Sequence, residues 1–299
     1  MAYRFKRSES PRVGFRRIAG EQIAKALAEL NNAELGQAAK VHQVRKRLKK
    51  LRALLWLVRP GLGKQYRRLD TVFRDLGREL SVARDAEVRL VTADAVVDGS
   101  REQEVQSLLA TVNTLLKFDR NQVINTDAAM DGILESVGRE LEAARLSIEQ
   151  TPLKKIPAKG LLKRYLKIYK RSRKGLDTLA IHSSDDDWHQ WRKALKHYWY
   201  QTLLLEGLWP AMMRARAREL RRLTEWLGQD HDRALLRQFL EKEEFIDRNG
   251  AGYEILLALI DEERRELKCR SLILGSRICA EPVSAYRRRL ATYWRLWKD

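Results

Sequence analysis

The sequence predicts an all-α protein: two four-helix bundles related by an internal pseudo-twofold duplication. Three observations predict it. Apolar residues recur at spacings of three and four along almost the whole chain, the mark of amphipathic helices. No stretch alternates with the period of two that a half-buried strand needs. One motif occurs twice, 147 residues apart: Val41-His42-Gln43-Val44-Arg45-Lys46-Arg47-Leu48-Lys49 and Trp188-His189-Gln190-Trp191-Arg192-Lys193-Ala194-Leu195-Lys196.

In residues 41–58, Val41, Val44, Leu48, Leu51, Leu55 and Val58 stack on one helix face. Leu62, Tyr66, Leu69, Phe73, Leu76 and Leu80 do the same for the next segment, and helices over 101–118 and 130–149 complete the first unit. In the second unit Trp188, Trp191, Leu195 and Tyr198 lead, followed by Met213, Leu220, Leu223 and Leu227, then helices over 235–247 and 252–274. Breaks are predicted at Pro60-Gly61, Asp98-Gly99-Ser100, Trp209-Pro210 and Asn249-Gly250. Pro152 and Pro157 interrupt the helical pattern and divide the chain into repeats over 1–150 and 151–299. The 147-residue offset runs on without a gap, pairing Leu57 with Leu204, Arg67 with Arg214, Arg74 with Arg221, Leu76 with Leu223, Leu80 with Leu227 and Asp85 with Asp232.

The chain of 299 residues carries a net charge of +19, and the excess is concentrated. Residues 1–90 hold +13 and residues 151–240 hold +11, whereas 91–150 hold −6 and 241–299 only +1. A positive excess at the same place in both units calls for an anionic partner. At about 100° per residue, His42, Arg45, Lys49 and Arg52 form a ridge beside the apolar stripe, and His189, Arg192 and Lys196 repeat it. Arg67, Arg74 and Arg78 share a face on the following helix, as do Arg214, Arg218 and Arg221. Arg16, Arg17, Lys163, Arg164, Lys167, Lys170, Arg171 and Arg173 make a third set. An ordinary solvated face interleaves Glu with Lys four residues apart, yet residues 36–69 contain neither Asp nor Glu. Asp85 and Asp232 read as structural, through capping or pairing with arginine.

Much chemistry is missing. No His is preceded three residues earlier by Glu, and HExxH, CxxC, the phosphate-binding glycine loop and the nucleophile elbow are absent. His231-Asp232 resembles the dipeptide of metal phosphohydrolases, but no other ligands are arranged around it. Asp185-Asp186-Asp187 suits a helix N-terminus, where the dipole favours acids. The two cysteines, Cys269 and Cys279, read as reduced cytosolic thiols. No apolar run reaches the roughly 20 residues of a membrane span.

The two units resemble the repeats of the CHAD domain, the conserved histidine α-helical domain. The resemblance is carried by His42, Arg45, Lys49, Lys50, Leu51 and Arg52, then Leu76-Gly77 and Ala83-Arg84-Asp85-Ala86-Glu87-Val88. In the second half it is carried by His189, Arg192 and Lys196, then Leu223, Leu227-Gly228 and Asp232. It implies a central groove or pore lined by basic side chains that binds inorganic polyphosphate without catalysis; the missing motifs, for their part, lead us to expect no cofactor or metal. It also implies phosphate contacts from His42, Arg45, Lys49, Lys50, Arg52, His189, Arg192 and Lys196. One position departs from the family pattern: Trp199-Tyr200 stands where Arg-Tyr is usual. No ExExK strand of a fused triphosphate-tunnel domain is present.

The expectation is therefore a cytoplasmic polyphosphate-binding module, associated with polyphosphate granules and without a membrane partner. An RNA- or DNA-binding helical protein is the alternative, with nucleic acid as a competing ligand; base stacking needs exposed aromatics, and Trp188 and Trp191 fall on the apolar stripe. If His42 and His189 touch phosphate, binding should strengthen below about pH 6.5.

Overall fold

The computed structural model of the chain describes residues 3–99, 103–123, 127–154 and 156–299; the side chains at 82–87, 97–99, 119–123, 127–129, 158 and 251 lie outside that description. The described residues fold into helices, with no strand among them. In order these are α1 (Pro11–Leu30), α2 (Gln37–Leu62), α3 (Gln65–Glu79), α4 (Ser81–Gly99), α5 (Gln103–Val123) and α6 (Asp127–Gln150). Then follow α7 (Ala158–Leu179), α8 (Asp185–Leu204), a short 3-10 turn at Glu206–Leu208, α9 (Pro210–Lys242), α10 (Ala251–Cys279) and α11 (Val283–Lys298).

Local chemistry sets the ends. Ser10 caps α1, its side chain accepting from the Val13 N–H at 3.3 Å, and Pro11 occupies the first turn, where no N–H is needed. Ser184 and Asp187 close a reciprocal capping box at the start of α8, so the Asp185–Asp187 run is a helix start, as its position suggested. Pro210 opens α9 as expected. Two predicted boundaries move. Pro60 sits inside the last turn of α2, and the break comes at Gly63, whose φ of 53° favours glycine. The segment after Leu227 is continuous with what precedes it, making α9 one helix of 33 residues.

The buried apolar residues form two groups. The larger draws on α1, α2, α3 and α6 and equally on α7, α8, the N-terminal part of α9 and α11, so one core runs through both halves of the chain. The smaller joins Leu90, Leu109, Val112 and Leu116 of α4 and α5 to Leu236, Leu240, Leu256 and Ile260 of α9 and α10. The proline-rich connection is packed rather than free. Leu153 and Ile156 are buried, Lys154 N–H donates to the Gly61 carbonyl at 3.0 Å, and Ile156 lies so close to Gly61 that no Cβ would fit there. The N-terminal segment also crosses to the second half, with Phe5 N–H donating to the Leu204 carbonyl at 2.9 Å and Arg4 pairing with Glu206 at 2.8 Å. Among the described residues no helix is long and apolar enough to cross a membrane.

Candidate anion-binding site

The back of α8 packs on α2, and this contact brings cations of the two halves together. Gln201 donates from Nε2 to the Ala53 carbonyl at 3.4 Å, holding α8 against α2. One turn earlier on α8 sits His197, whose Nδ1 is covered and bonded to no protein group. Burial lowers the His197 pKa to about 4, Arg52 and Arg171 push it in the same direction, and Asp70 opposes them. So Arg52 of α2, Asp70 of α3, Arg171 of α7 and His197 of α8 share one environment. Arg52 donates to Asp70 at 2.9 Å. Beside them Arg164 of α7 donates from Nε to the Trp56 carbonyl at 3.1 Å, and its guanidinium carbon lies 3.6 Å from the Trp56 ring centre. Burial lowers the Arg164 pKa, and nearby Arg59 adds to the effect. Arg59 lies over the Tyr66 ring at 4.6 Å. Arg52, Arg59, Arg164 and Arg171 therefore gather at this seam with Asp70.

A second group lies where α8 meets α9. The rings of His189 and His231 are 4.4 Å apart, and the His189 Nδ1 is buried with no protein partner. Burial lowers both pKa values, that of His231 to about 4, with Arg192 and Lys193 lowering both further. The Arg192 guanidinium lies against α9 at Gly228, within ordinary contact distance of where a Cβ would stand. In the first half Arg45 donates from Nη1 to the Gly77 carbonyl of α3.

The other predicted residues divide by partner. His42 and Lys49 are exposed on α2. Lys50 turns the other way, over the Tyr3 ring at 5.1 Å; burial pushes its pKa down to about 8, with Arg47, Lys46 and Lys25 adding to the shift. Lys196 lies over the Trp199 ring at 5.1 Å, so the side chain replacing the usual arginine supports a cation instead. Lys163 and Arg67 are exposed, and Arg16 donates to the Thr151 carbonyl at 2.9 Å. Arg17 is engaged by Glu9 at 2.5 Å and Glu21 at 3.1 Å. On α3, Arg74 and Arg78 lie 3.0 and 3.7 Å from Asp75. On α9, Arg214, Arg218 and Arg221 lie 3.9, 3.5 and 2.8 Å from Glu206, Glu219 and Glu225. These α3 and α9 arginines thus carry their own carboxylates. Asp232 is half-buried; Arg84 and Asp85 lie outside the described side chains.

Sequence reasoning missed His197 and Arg59, and weighed His231 only as part of a metal-phosphohydrolase dipeptide. His197 lies on the side of α8 away from Trp191 and Leu195, which a helical projection assigns to solvent. It is covered because α2 packs there.

The family model for the CHAD domain matches residues 17–241, from α1 to the end of α9. The chain belongs to the CHAD domain family. The crystal structure of the CHAD domain from the plant Ricinus communis aligns with a TM-score of 0.59 at 17% identity, over 94% of this chain and 96% of that one. PptA from Streptomyces chartreusis aligns with a TM-score of 0.63 at 15% identity, over 91% and 98%. Comparison of the sequence with curated proteins returns no match. Both structural likenesses concern the fold. Within this CHAD domain the matched residues include the whole α2–α3–α7–α8 seam and the His189–His231 pair, and they end before α10 and α11.

Proposed function

We propose that this CHAD domain is a binding module for inorganic polyphosphate, with cations from both halves contacting one polymer and no catalytic step assigned to it. The observation that carries the reading is the meeting of Arg52 of α2 with Arg171 of α7 and His197 of α8. Polyphosphate is a flexible polyanion without bases, so a receptor reads only charge and oxygens. Arginine supplies a fork of donors, lysine a point charge and histidine a tunable donor. On α2, Arg45 and Arg52 stand about 10 Å apart along the axis, a spacing that several successive phosphates of one chain could bridge. Duplication of the motif in the two halves then acts through avidity. On this reading the protein works in the cytoplasm, at polyphosphate granules.

The test is titration with size-defined polyphosphate at two ionic strengths, comparing wild type with a Lys49→Glu plus Arg171→Glu variant, one exposed cation from each half. Affinity should fall steeply with salt and with the double substitution. RNA at equal charge concentration should be displaced by polyphosphate; failure of that displacement favours a nucleic-acid ligand. Phosphate release with Mg²⁺ present would overturn the non-catalytic part.

A further inference from the structure

The outward faces of α7 and α11 hold a second set of cations that the seam does not use. On α7, Tyr165 and Tyr169 point inward and are fully buried. Arg164 and Arg171 turn toward α2 and the seam. Continuing around the helix at 100° per residue, Lys167 comes about 40° beyond Arg171, and Lys174, Lys163 and Lys170 follow within about 60° more. All four lysines are exposed, and none makes an ion pair or hydrogen bond through its side chain. Asp177 is the one acid on this helix.

Next to this ridge lies α11. Tyr169 donates to the Glu281 carbonyl at 2.6 Å and the Tyr165 and Tyr286 hydroxyls are 3.0 Å apart, so α11 runs antiparallel to α7. Its buried stripe is Tyr286, Leu290 and Tyr293. Arg289 turns inward to Glu281. Arg287, Arg288 and Arg295 are exposed, make no ion pair, and share a helix with no Asp or Glu. Because α7 and α11 lie side by side on one core, their outward faces adjoin.

We propose that these two faces form an outer binding segment for the same polymer, so that affinity grows with polyphosphate chain length. The inference rests on the polyphosphate reading above. A short chain fills the seam; a longer one leaves it past Lys167 and follows the ridge to α11. Lysines 163 to 174 span about 16 Å along the axis, enough for several further charges. A membrane surface fits less well. An interfacial helix inserts an apolar stripe, and the apolar stripe of α11 is already buried in the core.

The experiment measures affinity for short and long size-defined polyphosphate in wild type and in an Arg287→Glu, Arg288→Glu, Arg295→Glu variant. The wild type should bind the long chain more tightly. The variant should lose about tenfold for the long chain, the scale of a modest avidity effect, and leave the short chain unchanged. An alanine version should show the same length-selective loss in weaker form, and melting curves establish that both variants fold. Equal loss for both lengths, or no loss, overturns the outer segment while leaving the seam intact. Wild-type binding to neither length overturns the polyphosphate reading itself. Binding to phosphatidylglycerol vesicles that disappears in the variant, with long-chain affinity unchanged, assigns the face to a membrane instead.

Discussion

The Arg164 guanidinium, from the second half of the chain, lies 3.6 Å from the centre of the Trp56 ring in the first half, and donates to that residue's carbonyl at 3.1 Å. A stacked arginine is weakly hydrated and held in one orientation, which prepares it for an anion without spending further side-chain entropy. Arg164→Ala should cost about 1–2 kcal/mol of stability, from the lost stack and hydrogen bond together. Arg164→Lys keeps the charge but not the stack. If the preorganisation matters, the lysine variant also loses polyphosphate affinity; thermal melts paired with titrations separate the two effects.

Trp191 gives a purely structural prediction. Its indole N–H donates to the Ser172 carbonyl at 2.8 Å, and the ring is held between Gly175 and Gly275. A Cβ on Gly275 would lie 2.6 Å from Trp191 Cη2, and one on Gly175 would lie 2.5 Å from Cδ1. Gly275→Ala should therefore destabilise the fold by about 1–3 kcal/mol through overpacking, although alanine is the better helix former. Urea denaturation measures it. A neutral or stabilising result would show that the ring can shift.

This packing also marks how far the sequence could be read. The three-and-four spacing placed Trp188, Trp191, Leu195 and Tyr198 in the core, where all four are buried. It did not show that Gly175 and Gly275, from two other helices, would make room for one indole, because that contact depends on tertiary placement. Proline was read too strongly: near a helix C-terminus Pro60 can join the last turn, and Gly61 rather than Pro60 is what the packed Ile156 demands. For the site, residue type and spacing found Arg52, Arg164, Arg171 and His189. They could not separate Arg17, which serves Glu9 and Glu21, from cations left uncompensated. Nor could they find His197, which is covered by a helix from the other half of the chain.

That covered histidine predicts acid sensitivity. The His197 and His231 pKa values are lowered to about 4 in the fold, chiefly by burial, against about 6.5 in an unfolded chain. Between those values the unfolded state binds more protons, so stability is full above pH 6.5 and is lost as pH falls toward 4. The loss is at most about 3 kcal/mol for His197, and smaller for His231, which is more open to solvent. Urea midpoints at pH 7, 5.5 and 4.5 check it. His197→Gln should flatten that dependence, and an unchanged slope would rule out His197 as its source.

Binding should show the opposite pH trend. His189 is held neutral to below its ordinary range by burial, with Lys193 and Arg192 adding to the effect and Asp186 opposing it. A phosphate group bound beside the ring favours its protonated form, so the pKa rises on binding and the complex takes up a proton. Affinity then increases as pH falls, with the rise displaced below the pH 6.5 expected of an unperturbed imidazole. Calorimetric titration of polyphosphate in buffers of different ionisation enthalpy, at matched ionic strength, reads the proton uptake directly. His189→Gln should remove that uptake while keeping most of the affinity, which Arg192 and the seam cations supply; uptake that persists in the variant assigns the proton elsewhere.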